Sequence, residues 1–144
     1  MFKRIVVAYN ESAEASRALA AAIHLAKALG AELRAVTIFH DLPAYAGYAS
    51  AVDSSLARTM IEDRRERYEQ LQAEARERAS SLGVDLVTHL MEGQEVDGII
   101  QFLISHKAEL LVIGLHQHSL YISRLWSKVY EVAQDAPCSV LGIH

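Results

Sequence analysis

Residues 109–128 read ELLVIGLHQHSLYISRLWSK and combine a strand-like run with a long loop. The apolar run Leu110 to Ile113 stops at Gly114 and is followed by a long polar loop. Such a pattern is typical of a buried parallel strand that delivers a loop to a binding crevice. The polar side chains of this loop include His116, His118, Arg124 and Lys128. We therefore expect the function of the chain to depend on this loop.

Length and charge limit the classes of function. The chain has 144 residues, of which 22% are charged, and its net charge is -4. This length suits a single domain, 1–144, with a core of its own, and the charge does not favour nucleic acid or anionic lipid. No apolar run approaches the ~18 residues of a membrane span, and the N-terminus lacks the apolar region of a signal peptide. We expect a cytoplasmic protein without nucleic-acid or membrane partners.

Runs that read as strands alternate with runs that read as helices along the whole chain. Apolar β-type runs predict strands at 3–9, 31–39, 84–90, 109–114 and 139–143. Apolar positions spaced by three and four predict helices at 14–29, 54–82, 96–106 and 130–134. This alternation predicts an α/β fold with a doubly wound parallel sheet and helices on both faces.

Helix boundaries and core-facing positions also follow from the residues. Ser12 is predicted to cap the first helix, while Gly30 and Gly83 are predicted to follow the ends of the first and second. The three predicted core stripes are Leu19, Ala22, Ile23, Ala26 and Leu29; Ile61, Tyr68, Leu71, Ala75, Ala79 and Leu82; and Ile99, Ile100, Leu103 and Ile104. The single cysteine, Cys138, is predicted to act as a small buried apolar residue. Residues 41–53 read as a long loop, either a lid or interface or a simple connection.

Five blocks of the chain resemble successive blocks of the universal stress protein family. The blocks are residues 5–12, 26–33, 91–93, 108–114 and 136–141. They occur in the family's order and spacing nearly from end to end, so the chain is identified as a member of this family. The resemblance implies a five-stranded parallel sheet in the order 3-2-1-4-5 and a homodimer.

The resemblance also allows the nucleotide loop to be compared. In the nucleotide-binding branch of the family, the loop after strand four reads G-x2-G-x9-G-[ST], and an aspartate ends strand one. Small residues there let backbone N–H groups approach phosphate. This chain keeps the first glycine, Gly114, but has Gln117, Ser127 and Lys128 at the later positions and Asn10 at the aspartate position. The resemblance therefore predicts a degenerate loop.

Residues 114–117, GLHQ, instead resemble the Gly-His-His-Gln run of the universal stress protein A branch, which lacks the ATP loop. We predict a regulatory or interaction module in the stress response, with unknown protein partners, no catalytic activity and no cofactor. By resemblance, the candidate nucleotide-binding residues are Ala8, Tyr9, Asn10, Ile38, Gly114, His116, Gln117, Ser127, Lys128 and Val129.

One alternative function of the loop remains open. ATP or another adenine nucleotide could bind through the charged side chains of Arg124 and Lys128, without the glycines. His40, His116 and His118 each follow a strand, but their spacing is not that of metal ligands, so we predict no metal site. The sequence contains no nucleophile elbow, Walker loop or zinc-protease helix, and catalysis therefore has no support from motifs.

The last strand predicts the oligomeric state. Residues 139–143 contain no lysine, glutamate or proline, and strand five lies at the edge of a 3-2-1-4-5 sheet. An apolar edge strand exposes unpaired backbone groups, which natural proteins cover, charge or pair. We predict an antiparallel homodimer through strand five that buries Val140, Leu141 and Ile143. Trp126 is predicted to cover the sheet edge or the fourth helix, and the alternative is an anchor that faces a partner.

Overall fold

The structure, a computed structural model, describes residues 1–39, 54–116 and 128–144. Strands and helices alternate throughout these ranges, as the sequence predicts. The strands are β1 (Arg4–Ala8), β2 (Glu32–Phe39), β3 (Leu86–Glu92), β4 (Leu110–Gly114) and β5 (Ser139–Ile143). The helices are α1 (Ala13–Leu29), α2 (Ser54–Ser81), α3 (Glu95–Ser105) and α4 (Lys128–Asp135).

The five strands form one parallel sheet in the order β3-β2-β1-β4-β5, which confirms the predicted fold class and strand order. From β1 the chain adds β2 and β3 on one side of the sheet, and it then crosses to the other side of β1 to add β4 and β5. The strand order therefore reverses between β1 and β4. In sheets of this kind the crevice at such a reversal, outside the carboxyl ends of the strands, is the usual ligand site. The topology therefore places the ends of β1 and β4 at the candidate site.

Helices cover both faces of the sheet, which explains why the central strands are apolar without alternation. Ile5 and Val7 of β1 belong to a core shared with α1 and α2, whereas Val6 points to the other face and packs with α3 and α4. The first core also buries Leu19, Ile23, Leu33, Ala75, Ala79 and Val112, and the second buries Val36, Ile99, Phe102, Leu103, Leu111 and Val132.

The predicted caps are confirmed. The Ser12 hydroxyl accepts a hydrogen bond from the Ala15 N–H at 3.1 Å. Gly30 ends α1 with φ of 61°, and Gly83 follows α2 with φ of 79°, in the left-handed region that favours glycine. Val84, predicted to begin a strand, instead precedes β3, and its N–H donates to the Ala79 carbonyl.

Three residues predicted to face the core lie at helix ends and are exposed. Leu29 is 49% exposed, Leu82 is 38% exposed and Ile104 is 54% exposed. Leu29 is the last residue of α1, and Leu82 lies one residue beyond the end of α2. Ile104 is turned away because α3 buries Phe102 and Leu103, and the next residue lies ~100° further round the helix.

The prediction was also wrong for Ile61, which is 41% exposed in the first half of α2. Tyr68 stacks on Phe39 of β2 with ring centroids 5.9 Å apart, and the first buried residue of the described part of α2 is Gln72. The helix therefore packs on the sheet through its second half, a distinction that periodicity alone does not contain.

Thr37, in the middle of β2, provides a test of core packing. It is 0% exposed, and its Oγ1 is the one buried side-chain polar atom without a hydrogen-bond partner in the described ranges. Because an unpaired buried hydroxyl is unfavourable, we expect Thr37→Val to raise the free energy of unfolding by about 1 kcal/mol. Thr37→Ser keeps the hydroxyl and loses a methyl group, so this variant should have a free energy of unfolding that is lower by about 1 kcal/mol. Urea unfolding of both variants checks this, and a destabilised valine variant would contradict it.

Candidate functional site

The candidate site lies where the carboxyl ends of β1 and β4 meet. Asn10 follows β1 and precedes α1, while Gly114 ends β4 and begins the loop that leads to α4. Among the predicted site residues, the topology brings Ala8, Asn10, Gly114 and His116 to this end of the sheet.

Asn10 builds the turn from β1 into α1. Its Oδ1 accepts a hydrogen bond from the Ser12 N–H at 2.9 Å, and Ser12 in turn caps α1. An aspartate at this position would accept the same bond, because both side chains form this kind of turn. Asparagine therefore preserves the turn and removes one negative charge from the crevice.

Gly114 is required by the close approach of α1. A Cβ atom built on Gly114 would lie 2.3 Å from the carbonyl oxygen of Glu14 and 2.9 Å from the backbone nitrogen of Ala15. These are backbone atoms of the first turn of α1, which cannot move aside as a side chain can. Glycine here allows β4 and α1 to pack, whether or not a ligand is bound.

His116, just beyond β4, is paired with Glu14 of α1. Nδ1 of His116 lies 2.7 Å from Oε1 of Glu14, and their side chains are 58% and 20% exposed. A hydrogen bond from its own backbone N–H lowers the pKa of Glu14, and His116 and Arg17 lower it further against the opposing effect of desolvation. The carboxylate of Glu14 thus lies at the crevice in its ionised form at neutral pH.

Lys128, the first residue of α4, is paired in the same way. Its Nζ donates to Oε2 of Glu95 at 2.9 Å, and Glu95 lies in the first turn of α3. An acidic residue in the first turn of a helix is favoured by the helix dipole. The roles of Glu14 and Glu95 were not predicted from the sequence. The signal that could have found them is that each is an acidic residue in the first turn of a helix.

The apolar candidates divide between the two faces of the sheet. Ala8 and Ile38 are half-buried on the face covered by α3 and α4, and the Ile38 side chain lies over Gly98 of α3. Val129 is half-buried in the first turn of α4. Tyr9 points to the opposite face, where its ring is 8% exposed within the α1 and α2 core and burial raises its pKa.

Several predictions concern residues outside the described ranges. They are Gln117 and Ser127 of the loop, His40, His118, Arg124, Trp126 and the long loop 41–53. Of the three histidines considered as metal ligands, only His116 is described. Within the described ranges, no group of three or more His, Cys, Asp or Glu side chains is arranged to hold a metal ion.

Two further observations concern the single cysteine and the length of the helices. Cys138 is half-buried against the α3 and α4 core, and burial raises the pKa of its thiol, in keeping with the predicted apolar role. None of the described helices is both long enough and apolar enough to span a membrane.

Comparison with known proteins agrees with this architecture. A protein similar to this chain is the Thermus aquaticus "universal stress protein in QAH/OAS sulfhydrylase 3'region", 34% identical over 142 residues, with 98% of each chain covered. A solved universal stress protein in complex with cAMP is 25% identical, with a TM-score of 0.73 over 99% of this chain and 97% of the other. A second solved structure, of a universal stress protein family member from Burkholderia pseudomallei, is 26% identical, with a TM-score of 0.74 over 98% of this chain and 96% of the other.

The family model agrees with the resemblance found in the sequence blocks. It is described as the universal stress protein family, and it matches residues 1–144. Together with the predicted strand order and a relative that is 34% identical, this match shows that the chain belongs to the universal stress protein family.

Proposed function

We propose that this universal stress protein is a cytoplasmic, homodimeric regulatory module that acts by binding other proteins and has no catalytic activity of its own. We propose that its crevice does not hold a nucleoside triphosphate, because Gln117, Ser127 and Lys128 stand where the nucleotide-binding pattern has small residues. The observation that carries this proposal is that two nitrogen-bearing side chains described beside the crevice already have carboxylate partners. His116 is bonded to Glu14, and Lys128 is bonded to Glu95.

This pairing disfavours a chain of phosphates for an electrostatic reason. A triphosphate bound between α1, α3 and α4 would bring several negative charges towards Glu14 and Glu95, and like charges repel most strongly where water is partly excluded. To bind it, His116 and Lys128 would first have to leave their present carboxylate partners. The helix dipoles of α1 and α3 attract anions, but carboxylates already lie at those helix ends.

The dimer part of the proposal is supported by the edge strand. In the described part of the chain, β5 pairs on one side only, with β4. Val140 and Ile143 already pack against the two cores of the protomer, whereas Leu141 is 37% exposed. A two-fold axis beside β5 would pair its outer backbone groups and bury Leu141 against the other copy.

A second candidate function is the binding of an adenine nucleotide with few phosphates. The solved universal stress protein that is 25% identical to this chain was crystallised with cAMP, which carries a single phosphate. Ala8 and Ile38 remain half-buried at the carboxyl end of the sheet, where they offer an apolar surface to a base. This candidate differs from the first in needing the base surface but not the triphosphate cradle.

Calorimetric titration separates the two candidates. We expect ATP to bind no more tightly than the high micromolar range, because the loop lacks the small residues and the carboxylates of Glu14 and Glu95 do not favour a triphosphate. If the crevice retains a nucleotide function, cAMP and AMP should bind more tightly than ATP. A dissociation constant for ATP in the low micromolar range would contradict the proposal.

Restoring the glycine pattern of the loop should raise the affinity for ATP. The variant combining Asn10→Asp, Gln117→Gly, Ser127→Gly and Lys128→Ser rebuilds the pattern of the nucleotide-binding branch, and we expect it to bind ATP more tightly than the wild type. Lys128→Ser alone is the matched control, since it removes the partner of Glu95 without supplying backbone contacts. A folded fourfold variant with unchanged ATP affinity would show that the loop has been aligned incorrectly.

A further inference from the structure

A second cluster of titratable side chains lies away from the crevice, beside the edge strand β3. The ring of His89 on β3 packs against Phe102 and His106, at the end of α3. Ring centroids are 4.8 Å apart for His89 and Phe102, 5.0 Å for His89 and His106, and 3.9 Å for Phe102 and His106. The proposed function uses none of these residues, and the sequence analysis did not single them out.

The hydrogen bonds of the cluster define the protonation state of His89. Nη1 of Arg34, on β2, lies 3.0 Å from Nε2 of His89. A guanidinium group has donors only, so Nε2 of His89 must accept this bond. The imidazole that makes the contact is therefore neutral, with its single proton on Nδ1. A protonated His89 has no acceptor to offer Arg34.

Arg34 and His106 flank the His89 ring. Arg34 contacts it from β2 and His106 from α3, so a proton added to His89 would face two groups that are cationic or able to become so. Glu32 is the acidic group on this side, and its carboxylate is bonded to Arg34 at 2.9 and 2.5 Å. Burial is the largest cause that lowers the pKa of His89, followed by the charges of His106 and Arg34.

From the other side of the strand, α2 contacts His89 through an uncharged group. Nε2 of Gln72 donates to the backbone carbonyl of His89 at 2.7 Å, and Gln72 is buried. Arg76, one turn further along α2, donates to the hydroxyl of the neighbouring Thr88. His89 thus links β3 to α2 through its backbone and to β2 and α3 through its ring, so the protonation of the ring bears on the contacts with β2 and α3.

We infer that neutral His89 acts as an acid-sensitive latch, which holds the edge strand β3 against β2 and α3 and is weakened when its ring is protonated. Protonation replaces the hydrogen bond from Arg34 with repulsion between two cations in a half-buried position. The contact with α2 does not involve the ring and is unaffected. The strand should therefore loosen on its α3 side first.

The sign of the pH dependence follows from the lowered pKa. In the unfolded chain His89 gains a proton near its ordinary value of about 6.5, while in the folded protein it gains one only at lower pH. The unfolded state thus binds more protons across this interval. The stability due to neutral His89 is complete above a pH of about 6.5 and is lost as the pH falls towards the lowered pKa of the folded state.

Nuclear magnetic resonance on the wild-type protein tests the latch without any substitution. Nitrogen-15 spectra of the imidazole groups at pH 7.5 should place the proton of His89 on Nδ1, with its signals assigned through bonds to the backbone of residue 89 in the wild-type protein. A titration should then give His89 a pKa below its ordinary value. A proton on Nε2 at neutral pH, or a pKa at or above the ordinary value, would overturn the inference.

Unfolding measured across pH tests the consequence for stability. In His89→Gln the amide oxygen can still accept from Arg34 but cannot gain a proton, so the fall in urea midpoint between pH 7.5 and 5.0 should be clearly smaller than in the wild type. His24→Gln is the matched control, because His24 is exposed on α1, and its profile should follow the wild type. Identical profiles for His89→Gln and the wild type would overturn the latch, and the resonance measurement decides if His89→Gln does not fold.

Discussion

Replacing Gly114 by alanine is expected to lower the free energy of unfolding by about 3 kcal/mol, at the upper end of the range for overpacking a tight contact. The added Cβ would lie 2.3 and 2.4 Å from the carbonyl oxygen and carbon of Glu14. Since both partners are backbone, β4 and α1 would have to move apart, and the core between them would lose contacts. Urea unfolding monitored by circular dichroism measures the loss.

Gly142→Ala is the matched control for this substitution. Gly142 lies on the neighbouring strand β5, where it pairs with Ile113 of β4, and a Cβ on Gly142 would lie 2.9 Å from a methyl carbon of Leu115. A leucine side chain can change its conformation, so the expected cost is below about 1 kcal/mol. If Gly114→Ala proves as stable as the wild type, the close approach of α1 is not what requires glycine at this position.

Leu141→Lys is expected to raise the dissociation constant of the proposed dimer by about 100-fold, the change that corresponds to about 3 kcal/mol. The substitution removes the most exposed apolar side chain of β5 from the interface. It also brings two lysines near the two-fold axis, where like charges repel. Sedimentation velocity over a range of concentrations measures the change.

Val87→Lys is the matched control at the opposite edge of the sheet. Val87 lies on β3 and is 39% exposed, close to the 37% of Leu141, and it is also an apolar residue on an edge strand. It should leave the dissociation constant unchanged. A wild type that remains monomeric at tens of micromolar, or a dimer that weakens equally in both variants, would exclude β5 as the interface.

The order of elements and their caps could be predicted because they depend on local features of the chain. Ser12, Gly30 and Gly83 act within a few residues of their own positions, and the apolar runs of β1 and β4 depend on burial on both faces. The strand order came from the family resemblance, and the sheet confirmed it. Exposed stripe residues such as Ile61 could not be predicted, because periodicity identifies a helix face but not how much of its length is covered.

The candidate site was predicted less completely than the fold. The changed loop residues were visible in the sequence, because a glycine pattern is a local property. The pairs His116–Glu14 and Lys128–Glu95 join residues 102 and 33 positions apart, so no pattern within one segment contains them. The same holds for Arg34 and His89, which are separated by 55 positions and meet because β2 and β3 are neighbours.

By itself the sequence determined the alternation of strands and helices, the caps, the family and the loss of glycines from the loop, because each depends on which residues are near one another in the chain. The tertiary structure alone reveals the close approach of α1 to Gly114, the pairing of His116 and Lys128 with carboxylates, and the contact between Arg34 and His89. These depend on distances between elements, which the winding of the sheet sets. The charge and protonation of a side chain respond to every group within a few ångströms, whatever its place in the chain.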